Sequence, residues 1–185
     1  MQTRDARRLT ALLALWLMLS AVASARTLPV EIGDRVGYTY RKVFTIAVPA
    51  GWRTHDQSEG RRAVVAWTDR TGNGAIQVMV TDSGAPPDAA QQKRFLSDYA
   101  RTTFGRGPQF RLSVSRGPTG WVASWTYLAS GTRQGRARLA GRSHLFTRGN
   151  RLAVVTVAVP ADQLSSLSGS IRKLVSSFRL LGGPL

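Results

Sequence analysis

Apolar and polar residues alternate along several segments of the chain after residue 38, with the two-residue period of a β-strand. Most of these segments are followed by Gly, Pro, Asn or Asp, which is typical of strand ends. Residues 26–37 and 53–62 lack the pattern and are predicted to be an N-terminal lead-in and a polar loop. The predicted strands are residues 41–48, 63–69, 75–81, 109–116, 120–129, 136–148 and 151–159.

The separators between these segments are short and rich in turn-forming residues. Asn73-Gly74 lies between two apolar runs and predicts a tight β-hairpin, because this dipeptide adopts the positive φ angles that such a turn needs. Short turn-forming separators also divide the last four predicted strands. Strands joined in this way pair with their sequence neighbours, so we predict an antiparallel meander.

Two segments repeat apolar residues at helical spacing instead. The first follows Pro86-Pro87-Asp88, and the second is predicted to begin at Pro160-Ala161-Asp162. Each segment has one apolar face, which needs a partner surface to cover it. The two faces consist of Phe95, Leu96, Tyr99, Ala100, Thr103 and Phe104 in the first segment and of Leu164, Leu167, Ile171, Leu174, Val175 and Phe178 in the second.

The predicted strand 151–159 differs from the others because nearly all its residues are apolar, on both parities. A strand of this kind is covered on both faces of its sheet, and the two amphipathic helices can supply the cover. We therefore predict an α+β fold: an antiparallel β-sheet of about six to seven strands with helices packed on its faces. Residues 38–181 are predicted to form one domain, since no linker or repeat interrupts them.

The first 25 residues have the pattern of a secretory signal peptide. Arg4, Arg7 and Arg8 precede a nine-residue apolar run at 11–19, and Ala23-Ser24-Ala25 supplies small residues for cleavage. The apolar run is too short to span a bilayer, and no other segment is long enough. We predict cleavage after Ala25 and export to the periplasm or the exterior, by general secretion or by the twin-arginine route.

The order of the predicted elements and one short motif carry a resemblance to a known family. Phe44, Ile46, Pro49, Gly51 and Trp52 fit the motif F-x-I-x-x-P-x-G-W, which ends the first predicted strand. The chain resembles the PsbP-like superfamily, which is named for an extrinsic subunit of photosystem II and includes a Ran-binding nuclear import factor and exported bacterial proteins. The resemblance implies an α/β/α sandwich and a non-catalytic role on a larger assembly or in the cell envelope.

The composition of the chain excludes several kinds of site and favours one class of partner. It has 185 residues, with 26 Lys and Arg against 10 Asp and Glu, a formal net charge of +16 and no cysteine. The absence of cysteine excludes a disulfide framework, a thiolate zinc site, an iron–sulfur cluster and a cysteine nucleophile. The charge favours anionic partners. Between Asp98 and Asp162 the sequence contains ten arginines and not one carboxylate.

Part of this arginine-rich region is predicted to lie on one face of the sheet. In a regular strand, residues of one parity share a face, and an adjoining strand can extend the row. We predict a docking face for an anionic partner, such as an envelope polymer, lipid head groups, nucleic acid or an acidic protein; the alternative is a solvated face with no partner. The predicted members are Arg136, Arg138, Arg142, His144 and Arg148, with Arg111 joining from a neighbouring strand.

Two other groups of residues offer competing hypotheses. His55, Asp56 and Glu59 are the one histidine–carboxylate group close in sequence, and they suggest an acid–base or metal-dependent hydrolase; the alternative is an exposed polar loop. Trp121 near the basic strand suggests base stacking with nucleic acid, whereas a core position is the alternative for such aromatics. Neither group completes a catalytic or metal site, so we expect a non-enzymatic binding or accessory protein without a cofactor.

Overall fold

The computed structural model describes residues 29–129 and 137–185. The predicted signal peptide and Arg136 lie outside these described residues. Ten strands and two helices form the described part of the chain. In order they are β1 (Arg35–Tyr40), β2 (Phe44–Pro49), β3 (Arg53–Asp56), β4 (Arg62–Thr68), β5 (Ala75–Asp82), α1 (Ala89–Phe104), β6 (Arg111–Gly117), β7 (Gly120–Ala129), β8 (Ala137–Arg148), β9 (Arg151–Pro160), α2 (Ser168–Ser177) and β10 (Arg179–Leu180).

Seven strands form the main sheet, in the order β3-β4-β5-β9-β8-β7-β6, and every pairing is antiparallel. The predicted meander is confirmed, because β6, β7, β8 and β9 are neighbours in both sequence and space. A second, three-stranded antiparallel sheet has the order β1-β2-β10 and was not expected from the sequence. It packs on one face of the main sheet together with α2.

Helix α1 covers one face of the main sheet, which we call the α1 face. Asp88 caps the helix, since its carboxylate accepts from the Gln91 N–H at 2.7 Å and its own N–H donates to the Gln91 side chain. The helix lies against β6, β7 and β8. There the Phe104 ring stacks on Trp125 with centroids 3.8 Å apart, so the predicted apolar stripe of this helix is confirmed as core.

The opposite face, which we call the α2 face, is covered by the small sheet and α2. Val155 and Val157 of β9 are buried there beside Phe44 of β2 and Ile171 of α2. The intervening residues of β9 are buried on the α1 face. Strand β9 is therefore covered on both faces, as its apolar sequence predicts. An antiparallel sheet with one helix on each face confirms the predicted α+β class and sandwich.

The first predicted strand begins too early. Residues 41–43 form a turn between β1 and β2, with Arg41 and Lys42 at φ angles of 42° and 56°. Strand β1 begins at Arg35, inside the segment that was expected to be a lead-in. Its residues are mostly exposed and polar because it is the edge of the small sheet, so it lacks the apolar alternation by which strands are found in a sequence.

The predicted polar loop 53–62 was partly wrong. Its first four residues form β3, which pairs with β4 at the edge of the main sheet. In the predicted hairpin that follows, β4 and β5 are confirmed, but the left-handed residue of the turn is Gly72, at φ 73°, rather than Asn73 or Gly74. The Asp69 carboxylate shapes this turn by accepting from the N–H of Gly74 at 3.0 Å.

The C-terminal helix begins later than predicted. Turns occupy residues 161–167, and α2 begins at Ser168, so Asp162 does not cap it. Leu164 and Leu167 still contact the core from these turns. After α2, two residues form β10 beside β2. A run of turns can place apolar side chains on the core as a helix does. The helical spacing of these residues therefore predicted the start of α2 too early.

Candidate binding surface

The α2 face of the main sheet has a covered half and an open half. Over β4, β5 and β9 it lies beneath the small sheet and α2. Over β6 and β7 it presents side chains that are exposed or half-buried. One row shows the change: Ser113, Ser124 and Arg142 are exposed cross-strand partners, and the next partner, Val157, is fully buried.

Three arginines surround the open half. Arg142 and Arg138 lie on β8 with the same parity, four residues apart. Arg111 of β6 pairs with Thr126, and Thr126 pairs with Ala140, which lies between the two β8 arginines on that parity. The sequence placed these three arginines on one face, and their register agrees. Sheet spacings separate their Cα atoms by about 12–14 Å.

We call this set the arginine surface: Arg111, Arg138 and Arg142 with the hydroxyl residues Ser113 and Ser124 between them. Hydroxyl groups and guanidinium forks are both hydrogen-bond donors to phosphate or carboxylate oxygens. Between residues that the structure describes, the one ion pair joins Arg61 to Asp82 at 3.1 Å, away from this surface. Arg138 donates to the Gln109 side chain at 2.9 Å, which orients its guanidinium without neutralising it.

His144 belongs to the same face but does not add positive charge at neutral pH. Both ring nitrogens are buried, and neither has a hydrogen-bond partner among the described residues. Burial, together with the smaller effect of the positive charge of Arg142, lowers the pKa of His144 to about 4. His144 therefore shares the face of the arginines, as its parity predicts, with an imidazole that is neutral at pH 7.

Arg148 shares the face but has a different role. Its guanidinium donates to the carbonyl of Leu180 at 2.9 Å, and the neighbouring Arg151 donates to the carbonyl of Leu181 at 3.3 Å. These bonds attach the C-terminal segment to the end of β8 and β9. Arg148 therefore lies at the end of the row that the C-terminal segment contacts. Arg136, the remaining predicted member, is outside the described residues.

Trp121 lies on the other face of the sheet. It pairs with Arg116, packs partly against the core beneath α1, and alternates with Val122, which lies on the α2 face. The Lys93 ammonium and the Arg116 guanidinium lie 5.5 and 5.9 Å from its ring centroid. Trp121 therefore lies on the opposite face from the arginine surface, which lacks this stacking partner for bases.

The structure separates two members of the histidine–carboxylate group, His55 and Asp56. His55 and Asp56 are consecutive residues of β3, so their side chains lie on opposite faces. A ring nitrogen of His55 lies 3.2 Å from the Thr68 hydroxyl, whereas Asp56 accepts from the N–H of Ser58 at 2.9 Å. Across residues 29–129 and 137–185, no three histidine or carboxylate groups are arranged to hold a metal ion.

A row of buried polar side chains crosses the α1 face, and its members form hydrogen bonds with one another. Trp125 donates from its indole to the Ser143 hydroxyl at 3.1 Å, and Ser143 lies 2.9 Å from the Thr156 hydroxyl. Tyr99 lies 3.0 Å from Thr156 and donates to Gln77 at 2.9 Å. Burial raises the pKa of Tyr99 to about 12. These bonds give hydrogen-bond partners to buried polar side chains of α1, β5, β7, β8 and β9 within the core.

A cavity of about 610 Å³ lies beside the turn that joins β4 and β5. Its wall carries Glu31, Asp34, Asp69 and Arg70, so its charge is opposite to that of the arginine surface. Asp69 is already used by the turn. The strongly basic region of the molecule is thus separate from this cavity.

The sequence predicted the arginines of this surface but not its two serines, nor the boundary between the covered and open halves of the α2 face. Ser113 on β6 and Ser124 on β7 lie at positions that face the same side of the sheet as the arginines. The parity could have identified them once the strands were aligned. The boundary at β8 follows from where the small sheet packs, a contact between residues more than one hundred positions apart, and no local pattern encodes it.

Comparison with known structures gives the fold. Cyanobacterial PsbP (CyanoP) from Synechocystis sp. PCC 6803 is similar with a TM-score of 0.53 and 12% identity, over 84% of this chain and 97% of that one. The Ran-binding protein Mog1p from Saccharomyces cerevisiae is similar with a TM-score of 0.51 and 12% identity, over 80% and 95% of the two chains. No protein-family model and no curated protein matches the sequence.

Neither described helix is both long and apolar enough to cross a membrane. At 12% identity the two likenesses concern the fold alone, and they extend over nearly the whole of both solved chains. The element order and the sheet-and-helix layers agree with what the F-x-I-x-x-P-x-G-W motif implied. The chain therefore has the PsbP-like fold.

Proposed function

We propose that this protein is a non-enzymatic binding or accessory protein that docks an anionic partner on the arginine surface. The observation that carries the proposal is the open half of the α2 face. Arg111, Arg138 and Arg142 remain exposed there without a carboxylate partner among the described residues. Because three unpaired like charges on one surface repel one another, an anionic partner lowers their electrostatic energy.

The fold neighbours support a binding role in general terms. Mog1p is named as a Ran-binding protein, so this fold serves protein recognition in at least one neighbour. In the present chain the proposal of export adds a location: residues 1–25 are removed, and the partner belongs to the cell envelope or the exterior. N-terminal sequencing of the exported protein tests this point, with Arg26 as the expected first residue and an intact N-terminus as the contradicting result.

The binding proposal is tested by retention on a sulfopropyl resin across a salt gradient. The triple variant Arg111→Ala/Arg138→Ala/Arg142→Ala removes the charges of the arginine surface. We expect the slope of log retention against log salt to fall by about 3, one for each lost contact. Unchanged circular dichroism and unfolding midpoint would show that the variant is folded.

The matched control removes the same charge elsewhere. Arg35, Arg94 and Arg172 are exposed and lie on β1, α1 and α2, away from the arginine surface. Their triple replacement by alanine is expected to lower the slope by less than about 1. Equal slopes for the two triple variants would mean that net charge alone governs retention, and the proposal would be abandoned.

A further inference from the structure

Four described strands are sheet edges, and they differ in what they offer a partner. Strands β1 and β10 end the small sheet, whereas β3 and β6 end the main sheet. An edge strand presents unpaired backbone N–H and C=O groups, which natural proteins protect by short strands, charged side chains, proline or bulges. Strand β10 has two residues and β3 has four, so both are protected by their length.

Strand β6 has one of these protections, the charged side chains of Arg111 and Arg116, and lacks the other three. It has seven residues and contains no proline. It pairs residue by residue with β7 from Arg111 opposite Thr126 to Gly117 opposite Gly120, which leaves no bulge. Its other side faces no strand among the described residues. The remaining edge, β1, has six residues but begins directly after the carboxylate of Asp34.

The side chains of β6 match an acidic strand on both faces. Arg111 lies on the α2 face at one end, and Arg116 lies on the α1 face at the other. Between them, Ser113 is small and exposed and leaves room on the α2 face, whereas Leu112 and Val114 are half-buried and apolar on the α1 face. The meander from residue 109 to residue 160 contains no carboxylate that would repel an acidic segment.

A second copy of this chain is a poorer occupant of the same edge. Each copy has a formal net charge of +16. Pairing of two β6 strands would bring Arg111 and Arg116 of both copies to one short ribbon with no acidic residue to balance them. Like charges across neighbouring strands are destabilising. The charge therefore selects a partner of opposite sign.

We propose that the outer edge of β6 binds an extended acidic segment of a partner protein as an eighth strand of the main sheet. This proposal rests on the proposed function, since it specifies the anionic partner. Main-chain hydrogen bonds along β6 give the affinity, as in other cases of strand addition. Carboxylates on the two faces of the added strand pair with Arg111 and Arg116 and give the specificity.

The test uses a synthetic seven-residue peptide of glutamate and threonine, acetylated and amidated, with glutamates on both faces. Amide hydrogen exchange of the full protein is followed by NMR with and without the peptide. We expect the outward-facing amides of β6 to exchange at least tenfold more slowly when the peptide is bound. An analogue with N-methyl groups on alternate residues keeps the charge but loses backbone donors, and we expect at least tenfold weaker binding.

Variants separate the two arginines from general charge. Arg111→Ala/Arg116→Ala is expected to weaken peptide binding at least tenfold. The control Arg35→Ala/Arg53→Ala removes exposed arginines from two other edge strands, β1 and β3, and is expected to change binding less than twofold. Equal weakening by the two pairs would overturn the proposal.

Other outcomes distinguish this proposal from the proposed function. Equal affinity for the N-methylated peptide would overturn strand addition, and so would a peptide that does not bind. In either case a persistent effect of the arginine-surface triple variant on sulfopropyl retention would leave the proposed function standing. Slower exchange of β6 on raising the protein concentration without peptide would identify a second copy as the occupant and would also overturn the proposal.

Discussion

The covered and open halves of the α2 face belong to one continuous sheet and differ in their side chains. Val157 on β9 and Arg142 on β8 are direct cross-strand partners on the same face. The valine has no accessible surface, whereas the arginine is exposed. The sheet is regular across the boundary, so its geometry does not decide which half is covered. The side chains decide it, because only the apolar half gains free energy from burial.

The size of that gain explains the sharpness of the boundary. Full burial of one valine side chain contributes about 1.5–3 kcal/mol relative to exposure. Burial of an unpaired charge costs far more than this. Apolar side chains of the small sheet therefore pack on the covered half and not on the arginines. The open half keeps its charges at little cost to folding, which leaves it free to serve binding.

The largest expected effect comes from moving the arginine across the boundary. Val157→Arg buries an unpaired charge in the core between the two sheets and is expected to destabilise the fold by more than about 4 kcal/mol. The reciprocal change Arg142→Val is expected to stay within about 0.5 kcal/mol, since it alters a surface position. Urea unfolding followed by circular dichroism measures both. Similar losses for the two variants would contradict the comparison.

His144 lies at the boundary and tests it through pH. Its pKa of about 4 in the folded protein is below the ordinary value of about 6.5, so the unfolded chain takes up the proton first as the pH falls. The folded state therefore loses stability from about pH 6.5 downward, until the folded protein also titrates near pH 4. Between pH 7 and pH 4.5 this loss is about 2–3 kcal/mol.

The comparison that isolates this group is His144→Leu. The variant lacks the titrating imidazole, so its free energy of unfolding is expected to fall less than that of the natural protein over the same pH interval. Carboxylates titrate equally in both proteins and cancel in the difference. If the two proteins lose equal stability between pH 7 and pH 4.5, His144 is not held in a buried, neutral state.

A smaller effect is expected one residue from Arg142 on the opposite face. A Cβ on Gly141 would lie 2.2 Å from a ring atom of Trp125 and 2.7 Å from the Val157 carbonyl oxygen. Gly141→Ala is therefore expected to cost about 1–3 kcal/mol through overpacking. The control Gly169→Ala meets nothing within 4 Å and lies in α2, where alanine adds up to about 1 kcal/mol of stability. Thermal unfolding compares the two, and equal midpoints would contradict this packing.

Much of the fold was predictable because its strongest signals are local. The capping residue Asp88, the hairpin around Gly72 and the apolar β9 each act within a few residues, and the strands and helix they indicated are confirmed. The edge strands β1 and β3 were not predicted, because their exposed and polar residues lack the apolar alternation that indicates a strand. The start of α2 was predicted too early, because turns and not a helix place Leu164 against the core.

The site was predictable in its arginines and not in its surroundings. Parity alone placed Arg138 and Arg142 together, since strand alternation is independent of tertiary contacts. The neutral state of His144 depends on burial by distant segments, and the position of Trp121 on the opposite face depends on the alignment of β7. Such long-range packing leaves no mark in a local pattern.

The most direct measurement places one carboxylate among the three arginines. Ser124 lies on the open half between them, and Ser165 is an exposed serine in the turns before α2. Ser124→Asp and Ser165→Asp change the net charge equally, and the salt concentration that elutes each from a sulfopropyl resin is compared. We predict elution of Ser124→Asp at clearly lower salt, because its carboxylate neutralises the arginine surface. Elution of both variants at the same salt would contradict a binding role for this surface.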